Sequence, residues 1–114
     1  MTFAFYVPEN YSLDAFKKKQ LDYSLHRTPI ELWGARENVV AALHAHNEIV
    51  RSMVAQDKHV LFVDQASLML GSARYFNDPV HLTSVGSARF VDNMLTVIFP
   101  RVTEWAFRNR DNTD

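Results

Sequence analysis

Cysteine is absent from the 114 residues, so neither a disulfide nor a thiolate metal site can hold the chain together, and the redox compartment is left unread. Glycine and proline are scarce, at three and four, which excludes collagen-like and low-complexity architectures. No run approaches the roughly 18 apolar residues of a membrane span. Neither sign of charge dominates. Twelve Lys and Arg face thirteen Asp and Glu, for a formal net charge of -1, so no field draws in nucleic acid or an anionic membrane. The opening residues Met1 to Pro8 lack a basic region and lead into Glu9, Asn10 and Asp14. They read as a starting strand, not a signal peptide.

What is present is an ordinary apolar fraction of 47%, enough for one small domain. That domain is expected over residues 1–107, followed by a polar tail at 108–114. Residues 3–7 are aromatic and β-branched and stop at Pro8, which predicts a short strand buried on both faces. Ser12 is placed to cap a helix over about 13–25, with Asp14 in its first turn and Lys17, Lys18 and Lys19 on a wet face. Thr28-Pro29 predicts a break. Trp33 and Gly34 either line a cleft or pin a loop. Val39, Ala42, Leu43, His46, Ile49, Val50 and Met53 recur at helical spacing and predict a long helix from about Arg36 to Gln56.

His59 to Asp64 reads as a second buried strand, and strand, helix, strand suggests a right-handed parallel crossover. A short helical stretch over 66–70 and a loop through Gly71 and Asn77 follow. A last helix starts near Ser84 with Val91, Met94, Leu95 and Ile98 on one face. Pro100 ends or kinks it, and Val102, Trp105 and Phe107 form a last turn or a docking segment. Two parallel strands are too few to bury both faces of each. The reading therefore requires further strands, from a homo-oligomer or from a missing N-terminal half.

One pair of residues carries candidate chemistry. Asp78 and His81 lie three apart in an irregular segment before a helix, close enough for the carboxylate to fold back onto the ring. A carboxylate on one imidazole nitrogen fixes the tautomer and leaves the other nitrogen to take a proton from a hydroxyl. Pro79 stiffens the link, Thr83 or Ser84 can cap the helix, and Gly86 permits close backbone approach. The alternative is structural, with His81 a surface or capping residue and Asp78 a turn former. His44 and His46 point apart on the long helix, His59 and His26 sit at element ends, and His81 with Asp78 and Asp64 is a poor metal set. No cofactor or metal is expected.

The segment Tyr75-Phe76-Asn77-Asp78-Pro79-Val80-His81-Leu82-Thr83-Ser84-Val85-Gly86 resembles the last block of SGNH (GDSL-like) hydrolases. It is most similar to the form in domains attached to envelope-modifying acyltransferases. The resemblance covers about residues 39–98. It implies the C-terminal part of a flavodoxin-like three-layer α/β/α sandwich with parallel strands, and a serine esterase or O-acyltransferase in which Asp78 orients His81. The implied substrate is an acyl ester such as an O-acylated sugar. The family's Gly-Asp-Ser nucleophile block and its oxyanion blocks have no counterpart here, so both would come from a missing N-terminal part or a partner. The other readings are a non-catalytic α/β domain acting in assembly or regulation, and an unrelated small α/β protein.

Overall fold

The computed structural model describes residues 1–24 and 31–110, with backbone alone at 108–110. The expected helix end near residue 25, His26, the Thr28-Pro29 break and the end of the tail at 111–114 lie outside the described residues. Among the described residues four helices are formed: α1 (Leu13–Lys17), α2 (Arg36–Ala55), α3 (Gln65–Leu68) and α4 (Ser84–Arg110).

The flavodoxin-like sandwich is not formed. Among the described residues there is no β-strand, and the one isolated bridge joins Phe76 and Leu82 in antiparallel sense. Residues 2–7 and 60–63 run without helix, as the apolar, β-branched runs dictate. Their backbones meet at one bond, from the Thr2 N–H to the Val63 carbonyl at 3.3 Å. The reason no ladder develops is visible at Phe3. Its N–H donates to Asn47 Oδ1 at 2.8 Å and its carbonyl accepts from Asn47 Nδ2 at 2.9 Å. A side-chain amide thus occupies the donor and the acceptor that a neighbouring strand would use. The Tyr6 N–H goes to the Pro79 carbonyl at 3.0 Å. The segment is also not buried on both faces: Thr2 and Ala4 are buried while Phe3 is exposed.

Ser12 caps α1, accepting from the Ala15 N–H at 3.2 Å. The helix stops after five residues instead of reaching the mid-twenties, because Lys19 turns the backbone to a φ of +55°, left-handed and outside a helix. Asn10 then pins the return, donating to the Gln20 carbonyl and accepting from the Asp22 N–H.

α2 matches its expected span, but its buried row is not the full apolar set. Val39 and Asn47 are buried and Leu43 lies half-buried between them, whereas Ile49 and Met53 are exposed. α2 therefore docks along the row 39, 43, 47 and leaves a second apolar row outward. His46 and His44 pack on Phe3 and Phe5 with ring centroids 5.0 and 5.1 Å apart. α3 is fixed to α4 by polar groups: buried Gln65 donates to the Phe90 carbonyl at 2.9 Å and accepts from Asn93 Nδ2 at 3.0 Å. α4 runs through Pro100. The ring removes one N–H, and hence the donor to the Thr96 carbonyl, but does not end the helix. The chain measures 68 × 29 × 18 Å.

Asp64 ties three parts of the chain together. Arg51 of α2 donates to both of its oxygens at 2.9 Å, and Thr2 and Ser67 donate their hydroxyls at 2.7 and 2.9 Å. The arginine bonds, with the two hydroxyls, hold the carboxyl far below the usual carboxylate range, against the opposing effect of desolvation. A depressed folded-state pKa contributes stability that is present above the unfolded value of about 4 and lost as pH falls below it. Asp64→Asn is expected to destabilise the fold by about 2 kcal/mol at pH 7. Urea unfolding at pH 7 and pH 3 checks this, with the gap between variant and parent narrowing at the lower pH.

Candidate functional site

The loop between α3 and α4 folds onto itself before the helix begins. The Tyr75 carbonyl accepts from the Thr83 N–H at 2.9 Å, and the Asn77 N–H donates to the His81 carbonyl at 2.8 Å. Asn77 Nδ2 adds a bond to the Leu82 carbonyl at 3.1 Å. Thr83 performs the cap: its hydroxyl oxygen accepts from the Gly86 N–H at 2.9 Å and donates to the Arg74 carbonyl at 2.9 Å. Gly86 is required sterically, since a Cβ there would collide with the Tyr75 carbonyl oxygen. The loop is thus welded to the first turn of α4.

Asp78 sits inside this weld. Its Oδ1 accepts from the Val80 N–H at 3.0 Å and the His81 N–H at 2.7 Å, an Asx turn closed by two donors. Its Oδ2 lies 2.6 Å from His81 Nδ1. Two backbone donors fix the rotamer of the carboxylate, so the ring meets a group that is already oriented. The Asp78 side chain is 22% exposed and that of His81 73%. The inner oxygen therefore anchors the turn, while the outer one holds an imidazole at the surface. With Nδ1–H donated to the carboxylate, Nε2 is the nitrogen left to accept a proton. Among the described residues no hydroxyl hydrogen-bonds to Nε2.

The residues on either side of His81 share surroundings that differ from those of its exposed ring. Val80 and Leu82 line an apolar cavity of about 300 Å³, together with Phe3, Ala4 and Phe90. The imidazole and the cavity thus share one stretch of chain. The metal set of His81, Asp78 and Asp64 is not assembled: among the described residues no three His, Asp or Glu side chains converge on a metal position. Asp64 is engaged by Arg51 rather than by His81. Asn47, Arg51 and Thr2, which sequence reasoning passed over, hold the body on which this loop rests. A signal for Asn47 was present, because it falls four and eight residues after the apolar positions Leu43 and Val39.

Replacing Asp78 with Asn removes the acceptor that selects the tautomer. Nitrogen-15 NMR of the imidazole is expected to report the Nδ1–H form in the parent at neutral to alkaline pH. A shift toward the Nε2–H form is expected in Asp78→Asn.

The SGNH resemblance does not survive the fold. That family's active site stands at the edge of a parallel sheet, and the helical architecture supplies none among the described residues. Neither the esterase or acyltransferase reading nor its non-catalytic α/β alternative holds, and the twelve-residue match around Asp78 and His81 is a local likeness. Family models, curated proteins and solved structures were all compared with the chain, and none matches it.

Proposed function

We propose that this chain is a self-assembling helical module, whose role is to bring copies of itself together. The observation that carries this reading is the balance of its apolar surface. Among the described residues eight apolar side chains are buried, while seventeen large ones are exposed. Scattered exposed apolar residues are ordinary, but contiguous rows of them mark interaction surfaces. Here they fall in rows: Ile49 and Met53 on α2, and Val91, Leu95, Phe99 and Val102 on α4. A second copy suits these rows because the chain carries a net charge of only -1, which sets up little repulsion between like molecules.

Sedimentation over a hundredfold concentration range tests the proposal. The expected outcome is a concentration-dependent rise in mass from monomer to a discrete oligomer, with exposed apolar dye binding falling in parallel. A monomer at every concentration would overturn it.

A second reading is favoured by the 2.6 Å contact between Asp78 and the exposed His81 ring. The pair acts as a proton-transfer site, with Nε2 accepting a proton from a molecule that arrives from solvent and the carboxylate balancing the charge on the ring. In this reading His81 reacts with diethylpyrocarbonate faster than His44, His46 and His59, and Asp78→Asn removes the difference. Equal rates at the four histidines, read by peptide mass mapping, count against it.

A further inference from the structure

α4 carries two faces that differ in what they meet. Gly86, Asn93 and Pro100 are spaced by seven and share one face. Gly86 packs on the Tyr75 carbonyl and Asn93 on Gln65, so this face docks on the body at its N-terminal end. The break in the backbone ladder at Pro100 lies on the same side. The opposite face holds Ala88, Val91, Leu95, Ile98, Val102 and Trp105, at alternating intervals of three and four. That 3.5-residue repeat is the seam of a coiled coil, sustained over 18 residues and about 26 Å of helix. Val91, Leu95 and Val102 are each half exposed. The body thus leaves these central positions of the seam open to a partner.

We infer that α4 pairs with α4 of a second copy, antiparallel, about a two-fold axis passing between Thr96 and Val97. This rests on the assembly reading above and names the element and the geometry. The seam reads the same from both ends about that point. Val91 meets Val102 of the second copy, Leu95 meets Ile98, and Ala88 meets Trp105. Large lies against small and medium against medium, as a packed seam requires. A parallel pair would instead stack two Trp105 rings in one layer and two alanines in another. The antiparallel arrangement opposes the two helix dipoles. It also sets the two bodies, each attached at the N-terminal half of its α4, at opposite ends of the pair. Because one patch meets itself, the interface closes at two copies.

The test uses the full chain and its lack of cysteine. Leu95→Glu places a lone carboxylate in the centre of the seam, and its desolvation is expected to weaken self-association at least about tenfold. Leu70→Glu, at an exposed position just after α3, is expected to leave association unchanged, and circular dichroism confirms the helix content of both. Orientation is read from Val91→Cys and Val102→Cys proteins under mild oxidation. The antiparallel pair predicts disulfide-linked dimers from the mixture and little from either protein alone. Dimers from each alone would mean a parallel pair and overturn the geometry. Association of the parent that Leu95→Glu leaves unchanged would overturn the α4 pairing while leaving self-assembly standing, and a parent that stays monomeric would overturn both.

Discussion

The carboxylate of Asp64 is the point on which the body depends. It receives the guanidinium of Arg51, the hydroxyl of Thr2 and the hydroxyl of Ser67. These bring together α2, the N-terminal segment and the start of α3. Arg51 is in turn held by Glu48 one turn earlier on α2. Thr2 relays the arrangement, since its oxygen also accepts from the Ala66 N–H. Such a node is stable only because its lone pairs and donors are mutually satisfied. A buried or half-buried carboxylate with fewer partners would be costly.

Asn47 does for the backbone what Asp64 does for the side chains. Its amide meets both polar groups of Phe3 from a position with no solvent exposure. Gln65 repeats the device between α3 and α4. The body is therefore joined largely by buried side-chain amides reaching to main chain, not by a hydrogen-bonded sheet. Burial of apolar surface accompanies these joints but is modest, with Phe76 and Met69 its most deeply buried members. The cost of leaving any one of these amides unpaired sets the register of the elements more sharply than the small apolar core can.

The helices were legible in the sequence, but the sheet it predicts does not form among the described residues, for a physical reason. The caps at Ser12 and Thr83 and the repeat along α2 are local patterns, and local patterns report local conformation. The runs at 3–7 and 59–64 predict buried strands, and neither forms one. Whether such a run joins a ladder depends on what occupies its polar edge, and nothing within either run discloses that Asn47, forty-four residues away from Phe3, takes the place of a strand. The same limit applies to α2: periodicity showed an apolar face on which Ile49 and Met53 stand, but not which row of it would be covered. The Asp78–His81 contact followed from spacing and was formed. The backbone bonds that hold the turn around it depend on Tyr75, Asn77 and Thr83 closing the loop, which spacing alone did not reveal.

Pro100 has a consequence for how α4 comes apart. The turns before it are tied to the body through Asn93 and the Phe90 carbonyl. At the proline the Thr96 carbonyl loses its i+4 main-chain donor, so the cooperative ladder is interrupted there. The two halves can then exchange their amide protons in separate opening events, with the proximal one tracking unfolding of the body.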